Sequence, residues 1–508
     1  MKRIGAVVSR LAGRRETEPG AQGTAVGGEL RTEVSDGVRL VHSPYEDPPG
    51  EDVGAWRSLR RDASVVTVVV GAVAAGHAAL WPALGEVLDS LAEEGVEEVR
   101  PALADAAAER TGGRAPLAER IADIWGLRVI AAQGAIAALP DGSLFAYGAG
   151  DRRATWCRFR PQGGTEVLGP RDPAPPWQAA YERLPRRLDG DCVVDAVPAG
   201  VLVRGAGDVS TGPGHLAYAV PPDEHRPLVL IGGARGRPAP AAAVATALAA
   251  LPGDARDATA LAPGAHQDVL PVAQEVADLL GMEVEVLTGL PLTSADDALG
   301  APHTVTLTDA AGRPTRRPTV GTVRCLPTNG TARRQPPRRV RLRSPLAEGR
   351  LSGDGTVELS DRRRLTLTRP GALLQERSVP PAHAAHRPVD PERFVIEVAW
   401  RGSETDPSLL RACELVLNTL HPQLRRYAEL RVGGMTGEAL RDATRMAVRH
   451  GVALTRGPVL LPVPGQAGAG AVAGADSGAG MARPPAARPQ VTRPPSARRP
   501  RSGPGGSR

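Results

Sequence analysis

One eighteen-residue pattern occurs twice in the chain and constrains its fold more than any other sequence feature. Residues 117–134 (LAERIADIWGLRVIAAQG) align without gaps to residues 272–289 (VAQEVADLLGMEVEVLTG), with six identical positions. Apolar residues recur every three to four positions, a glycine follows (Gly126 or Gly281), and a strand-forming run comes next. The pattern predicts an amphipathic helix that ends at a glycine and leads directly into a strand.

Three parts of the chain show the order strand, helix, strand, helix, strand. The predicted elements are 65–71, 78–94, 96–103, 117–125 and 127–132; then 228–232, 241–251, 258–262, 269–280 and 283–287; then 394–400, 408–427, 428–432, 436–450 and 452–455. This order requires a parallel sheet with crossover helices. We therefore predict an α/β fold of three repeated Rossmann-like βαβαβ modules, the third degenerate, with β-rich inserts and disordered termini.

The composition sets the predicted domain boundaries. The 59 glycines and 49 prolines make up about a fifth of the 508 residues, which is typical of chains with long irregular segments. The predicted domains are a flexible leader (1–60), a first module with a β-rich insert (61–222), a second module with a β-rich, Arg-rich insert and linker (223–390), a third, smaller module (391–463) and a disordered Pro/Gly/Arg-rich tail (464–508).

Arginine dominates the basic residues, since Lys2 is the only lysine. We favour GC-rich coding, which suggests an actinobacterial source, over selection for arginine chemistry as the cause of this bias. Residues 465–508 contain seven arginines and one acid, which accounts for the whole net charge of +6. Residues 310–347 contain ten arginines and no acid. Mobile cationic segments bind nucleic acids or anionic surfaces weakly and without sequence specificity. The residues predicted to bind anions in this way are Arg333, Arg334, Arg338, Arg339, Arg498, Arg499 and Arg501; coding bias alone is the equal alternative.

Cysteine spacing and hydropathy bear on the cellular compartment. Cys157, Cys192, Cys325 and Cys413 lie far apart without a CxxC pair, so free thiols are expected. No signal-peptide core is present, and no run approaches the roughly 20 apolar residues that cross a membrane. These features predict a cytoplasmic protein without a transmembrane segment.

Loops after the first strand of each module are the candidate ligand sites, because open α/β sheets bind ligands beyond the carboxyl ends of their strands. Residues 71–77 (GAVAAGH), 232–236 (GGARG) and 401–406 occupy these positions. The predicted ligand-binding residues are Gly71, Gly76, His77, Gly232, Gly233 and Gly236. Tight turns without a ligand, with His77 at the start of a helix, are the alternative.

Neither glycine loop has the P-loop or GxGxxG pattern, and the chain contains no GxSxG or HExxH motif. We predict no catalytic residue, no metal and no cofactor. Asp123 and Asp278 recur at the same position of the repeated pattern, which indicates either a shared role or common ancestry.

The leading interpretation is therefore a non-enzymatic cytoplasmic scaffold or interaction protein with an unknown protein partner. The alternatives are an enzyme, or a degenerate relative of one, with a cleft at the βα loops, and a weak binder of nucleic acid or anionic surfaces.

Overall fold

The computed structural model describes residues 30–35, 37–44, 59, 64–109, 113–139, 141–148, 154–208, 214–232, 238–292, 304–328, 337–347, 350–378, 388–398 and 407–457. This part of the chain has a mixed α/β fold, in which three large sheets each combine parallel and antiparallel strands. The α/β class predicted from the sequence is confirmed. Most of the predicted leader and all of the predicted tail lie outside the described residues.

The first large sheet comes from the N-terminal part of the described chain. Its elements and those that cover it are Arg31–Ser35 (β1), Val38–His42 (β2), Val65–Val70 (β3), Leu80–Glu93 (α1), Glu98–Ala102 (β4), Leu117–Trp125 (α2), Arg128–Gln133 (β5), Ala135–Ala138 (β6), Leu144–Tyr147 (β7), Thr155–Phe159 (β8), Thr165–Gly169 (β9), Arg171–Asp172 (β10) and Gln178–Glu182 (α3). The strand order is β1-β2-β3-β4-β5-β8-β9, and β2 to β5 are parallel. Strands β6, β7 and β10 form a separate small sheet.

The second large sheet repeats this arrangement. Its elements are Arg187–Leu188 (β11), Cys192–Val197 (β12), Gly200–Gly205 (β13), Leu228–Ile231 (β14), Ala241–Ala249 (α4), Gly253–Ala258 (α5), Ala260–Pro263 (β15), Leu270–Leu280 (α6), Val284–Leu287 (β16), Leu290–Leu292 (β17), Thr304–Thr306 (β18), Val320–Cys325 (β19) and Arg338–Leu342 (β20). The strand order is β11-β12-β13-β14-β15-β16-β19-β20, and β13 to β16 are parallel. Strands β17 and β18 form a separate pair.

The third large sheet has six described strands. Its elements are Thr356–Glu358 (β21), Arg363–Leu367 (β22), Gly371–Glu376 (β23), Phe394–Val398 (β24), Pro407–Thr419 (α7), Pro422–Arg425 (α8), Ala428–Val432 (β25), Gly437–His450 (α9) and Ala453–Arg456 (β26). The strands follow one another in order, and β23 to β26 are parallel. No described strand lies beyond β26, whereas β5 and β16 are followed in their sheets by the antiparallel strands β8 and β19.

Helices cover one face of each sheet, because successive parallel strands lie side by side in chain order. In the first sheet, Val68 belongs to one apolar cluster with Leu88 of α1 and Ile121 of α2. Its neighbour Val69 points to the other face and packs in a cluster with Leu144 of the small sheet. A strand that is buried on both faces needs the continuous apolar run that VVTVVV provides.

The predicted helix–glycine–strand joint is present in both copies of the repeated pattern. Helix α2 ends at Gly126 with φ 69°, and α6 ends at Gly281 with φ 63°. Helix α9 ends in the same way at Gly451, also with φ 63°. This left-handed conformation strains residues that have a Cβ atom, which explains the glycine at each helix end.

The main difference from the sequence-based expectation lies before each βαβαβ unit. A fourth parallel strand and an antiparallel neighbour precede the three predicted strands, as β1 and β2 do in the first sheet. Residues 31–35 and 38–42 of the predicted flexible leader therefore form a strand pair. The patterns RTEVS and VRLVH were missed because polar residues alternate along strands at a sheet edge, and only Val41 is fully buried.

Candidate functional site

The loop after β3 uses its polar groups for its own structure. The Gly71 N–H donates to the Val41 carbonyl oxygen at 2.8 Å, and the Gly71 carbonyl accepts from Ala75 at 2.9 Å. Gly76 closes a short 3₁₀ turn. His77 Nδ1 accepts the Ala79 N–H at 3.1 Å, immediately before α1 begins. His77 thus lies at a helix start, as in the alternative interpretation of this loop.

The corresponding loop after β14 is described only at its first residue. The Gly232 N–H donates to the Val203 carbonyl at 3.0 Å, and φ is 107°. Gly233, Gly236 and residues 401–406 lie outside the described residues. Gly232 follows the second sheet and Gly71 the first, so the two predicted loops belong to different sheets. In each described sheet the parallel strands follow chain order without reversal, whereas α/β proteins typically bind ligands where the order reverses.

The predicted anion-binding arginines are only partly described. Arg333, Arg334, Arg498, Arg499 and Arg501 lie outside the described residues. Arg338 is exposed on β20. Arg339 is half-buried and donates from Nη1 to the Leu367 carbonyl at 2.6 Å, and burial lowers its pKa.

The ten-arginine segment is not a mobile cationic stretch in its described part, which corrects that expectation. Arg313 donates to Asp309 (Nε to Oδ2, 2.7 Å), and Arg324 lies 3.5 Å from Glu283 and Glu285. Arg316 is 3% exposed and donates to three backbone carbonyls. The acids that pair with Arg313 and Arg324 come before the segment in the chain, so a count of charges within the segment could not reveal them.

A cavity of about 850 Å³ is lined by the small sheet, by β8 and β9 of the first large sheet and by β12 and β13 of the second. This volume falls in the range of about 300–1,000 Å³ that small-molecule pockets occupy. Phe145 and Tyr147 of β7 line it together with Tyr218, and these rings meet edge to face at 5.8 and 6.1 Å. Tyr181 of α3 also lines it. Four of the chain's eight phenylalanines and tyrosines thus surround one cavity.

Arg171 lines this cavity and is 1% exposed. Its guanidinium donates to the carbonyl oxygens of Val197, Pro198 (2.6 Å) and Gly200 (2.6 Å), and its centre lies 4.5 Å from the centre of the Trp177 ring. Burial lowers the pKa of Arg171 to about 9, so the group is still a cation at neutral pH. The cation is stabilised mainly by backbone carbonyls and aromatic rings.

Arg204, a second arginine of the cavity, also donates to protein acceptors. Arg204 donates from Nε to Asp195 at 2.5 Å and from Nη1 to the Asp208 carbonyl at 2.8 Å. Burial raises the pKa of Tyr147 and of Tyr181, so neither phenol ionises at neutral pH. Among the described residues that line the cavity there is no histidine, cysteine or serine. The arrangement can enclose a molecule, but it offers no nucleophile–base pair.

The thiols also lack the properties of nucleophiles. All four cysteines are free and buried. Burial raises the pKa of Cys325 and of Cys413 to about 12, and it raises the pKa of Cys157 and Cys192. A thiol reacts as its thiolate, which these environments disfavour. Within the described ranges, no three His, Cys, Asp or Glu side chains are grouped so that they could hold a metal ion.

Comparisons of the chain with family models, with curated proteins and with solved structures found no match. Among the helices that the structure describes, none combines the length and the apolar character needed to cross a membrane.

The recurring aspartates have the same structural role in two sheets. Asp123 of α2 accepts the backbone N–H of Gln162, which follows β8 (3.1 Å). Asp278 of α6 accepts the backbone N–H and the hydroxyl of Thr328, which follows β19 (2.9 Å each). Each carboxylate therefore holds the chain just after the antiparallel strand that borders the parallel ones.

Two buried arginines join consecutive sheets, and sequence analysis missed this role for both. Arg171 connects the small sheet to the turn before β13. Arg316, between β18 and β19, donates to the carbonyls of Pro370 (3.1 Å), Asp390 (2.8 Å) and Arg393 (2.8 Å), close to the starts of β23 and β24. A single arginine among many gives no local sequence signal for such long-range contacts.

Proposed function

We propose that the protein is a non-enzymatic cytoplasmic scaffold or interaction protein of a GC-rich, actinobacterial organism. In this proposal its three parallel units are repeats of one Rossmann-like module. The matching helix–glycine–strand joints and the shared role of Asp123 and Asp278 support descent from a single unit.

One observation carries the proposal: the best-defined buried polar groups hold sheets together instead of converging on a reactive centre. Arg171 and Arg316 each donate to three backbone carbonyls of a following sheet. In the loop after β3, a position where α/β enzymes place catalytic groups, the polar groups bond within the protein: the Gly71 N–H donates to the Val41 carbonyl, and His77 Nδ1 accepts the Ala79 N–H. Rigidly joined modules offer a large fixed surface, which suits an interaction protein.

The cavity favours binding over catalysis as its own role. Its described walls combine aromatic rings with Arg171 and Arg204, whose guanidinium groups donate to protein acceptors, and they contain no histidine, cysteine or serine. The alternative is an enzyme with a cleft at the βα loops. A scaffold and an enzyme are distinguished by whether the protein forms a stoichiometric complex or turns over a small molecule.

The experiment uses the full chain purified from its own cells under native conditions. A scaffold should co-purify with a protein partner in fixed stoichiometry, and the complex should reassemble from the separate pure components. In parallel, the pure protein is incubated with a small-molecule extract of the same cells, and products are followed by mass spectrometry. Product in clear excess over one equivalent per chain would overturn the proposal, as would failure to find any partner that reassembles.

A weak binder of nucleic acid or anionic surfaces is the second candidate, and one observation favours it. Arg338 and Arg341 are exposed along β20, at the outer edge of the second sheet. Such a strip would bind phosphate backbones through counterion release. Its binding to DNA should therefore weaken steeply with salt and fall in the double variant Arg338→Ala/Arg341→Ala.

A further inference from the structure

Two arginines stand in one row on the wall of the cavity. Arg187 of β11 is in register with Val193 of β12, and Val193 is in register with Arg204 of β13. Residues in register across antiparallel strands lie on the same face of a sheet, and two strand spacings amount to about 10 Å between Cα atoms. All three residues line the cavity. The two arginines therefore share one face, with Val193 between them.

This face of the second sheet is the one that carries the aromatic contacts. Leu202, which lies two residues before Arg204 on the same face of β13, belongs to one apolar cluster with Phe145 and Tyr218. Both of these rings line the cavity, and the ring of Tyr147, which also lines it, lies 6.1 Å from that of Tyr218. Guanidinium groups and aromatic rings thus line the same cavity.

Arg204 is held in a fixed orientation and retains donors for a ligand. Its side chain is 7% exposed, and its Nε donates to Asp195 at 2.5 Å. Its Nη1 donates to the carbonyls of Gly205 (3.1 Å) and Asp208 (2.8 Å). The third nitrogen, Nη2, carries two N–H groups and has no hydrogen-bond partner among the residues that the structure describes. A donor that is oriented in advance loses little freedom when a ligand binds.

The charged side chains of the cavity favour an anion over a cation. Those that line it are four arginines and three acids: Arg171, Arg186, Arg187, Arg204, Glu182, Asp195 and Asp208. The side chain of Arg187 is exposed and has no ion-pair or hydrogen-bond partner in the described part of the chain. A cationic ligand is disfavoured further because Arg171 already lies over the Phe145 ring, 5.6 Å from its centre. Guanidinium groups with uncommitted donors are the usual partners of carboxylates and phosphates.

We propose that the cavity binds a small aromatic molecule that carries a phosphate or carboxylate group. The anionic group contacts Arg187 and Arg204, and the ring packs among Phe145, Tyr147 and Tyr218. The volume of about 850 Å³ is sufficient for a ligand of several fused or linked rings. This site goes beyond the proposed interaction function and does not depend on it.

The test uses four probes that share a naphthalene ring, titrated into the full-length protein by isothermal titration calorimetry. They are naphthyl phosphate, naphthoate, neutral naphthol and cationic naphthylmethylammonium. The wild type should bind one of the two anions with a dissociation constant of about 1 mM or tighter, and at least tenfold more tightly than the neutral and cationic probes. The tighter anion identifies phosphate or carboxylate as the group that is recognised. Inorganic phosphate alone should bind at least tenfold more weakly than naphthyl phosphate, because it makes no contact with the rings.

Three variants locate the site. Arg187→Ala should weaken binding of the preferred anion at least fivefold. Arg204→Lys keeps the positive charge beside Asp195 but lacks Nη2, so it should weaken binding at least tenfold. The matched control Arg183→Ala removes an exposed arginine that is not among the described lining residues, and it should bind like wild type. Urea denaturation shows whether each variant is folded, and the exposed position of Arg187 keeps the test valid if Arg204→Lys does not fold.

Three results would overturn the proposal. The first is a wild type that binds neither anion, or that binds the neutral or cationic probe as tightly. The second is an unchanged affinity in Arg187→Ala or in folded Arg204→Lys. The third is an equal loss in Arg183→Ala, which would show that the probe responds to overall charge. None of these results bears on the proposed interaction function, which is judged by stoichiometric reassembly with a protein partner.

Discussion

The first and second large sheets share two kinds of polar contact, one made by a buried arginine and one made by an aspartate, and they differ in how many hydrogen bonds each residue makes. A buried arginine follows each sheet's parallel strands in the chain, Arg171 in one case and Arg316 in the other, and donates to backbone carbonyls of the next sheet. An aspartate at the end of the last helix, Asp123 or Asp278, holds the chain after the antiparallel strand. Residues at the same place in the two sheets therefore have the same structural role, and the number of hydrogen bonds that each makes depends on the residues around it.

Arginine suits the connection between sheets because one planar group carries five N–H donors on a long side chain. Gly200 and Gly371 open the first parallel strands of the second and third sheets, and a Cβ there would lie 2.0 and 2.2 Å from the carbonyl oxygens of Leu228 and Val395. In each case the first parallel strand therefore approaches its neighbour closely at this point. Arg171 reaches the Gly200 carbonyl itself, and Arg316 reaches that of Pro370.

The two arginines differ in how completely they are satisfied. Arg171 also contacts Gln178 (Nη1 to Oε1, 3.3 Å) and lies over the rings of Trp177 and Phe145. Arg316 lies over the ring of Phe394, and its Nε and Nη1 have no hydrogen-bond partner among the residues that the structure describes. A buried donor without an acceptor reduces the net stabilisation that the residue provides. Substitution should therefore cost more at Arg171 than at Arg316.

Arg171→Met should cause the largest loss of stability. Methionine fills a similar volume but removes the hydrogen bonds that Arg171 donates to three carbonyls, so we expect a loss of about 3–5 kcal/mol in the free energy of unfolding. Urea denaturation measures it, and Arg187→Ala, an exposed position in the same region, should change stability by less than about 0.5 kcal/mol. A small loss of stability in Arg171→Met would show that the turn between β12 and β13 is stable without the hydrogen bonds from Arg171.

Arg316→Met should cost less, about 2–3 kcal/mol, because two of its nitrogen atoms gain nothing in the folded state. The matched control is Arg338→Ala, at an exposed position on β20. A loss at Arg316 equal to or greater than that at Arg171 would show that the count of satisfied donors does not decide the difference between the two connections.

The same contrast explains which parts of the structure could be predicted from the sequence. Helix α2, Gly126 and strand β5 follow from local periodicity and from a backbone conformation that needs glycine, so the pattern alone located them. Arg171 lies in a two-residue strand and contacts carbonyls 26 to 29 residues away. No periodicity encodes such contacts. The cavity depends on the same long-range packing, and so its aromatic lining was not predicted.

The aspartates should give the smallest effects and the sharpest test of the repeat. Asp278 accepts from the Thr328 N–H and hydroxyl and from Gln274 in a part-buried position, whereas Asp123 accepts one exposed N–H. We expect Asp278→Ala to cost about 1–2 kcal/mol and Asp123→Ala about 0.5 kcal/mol. Asp→Asn variants at both sites retain an acceptor and should recover most of each loss. Hydrogen exchange at Gln162 and Thr328 should accelerate only in the variant of the aspartate that each contacts. Equal losses at the two sites, or faster exchange at both amides in either variant, would show that the aspartates stabilise their helices instead of the returning strands.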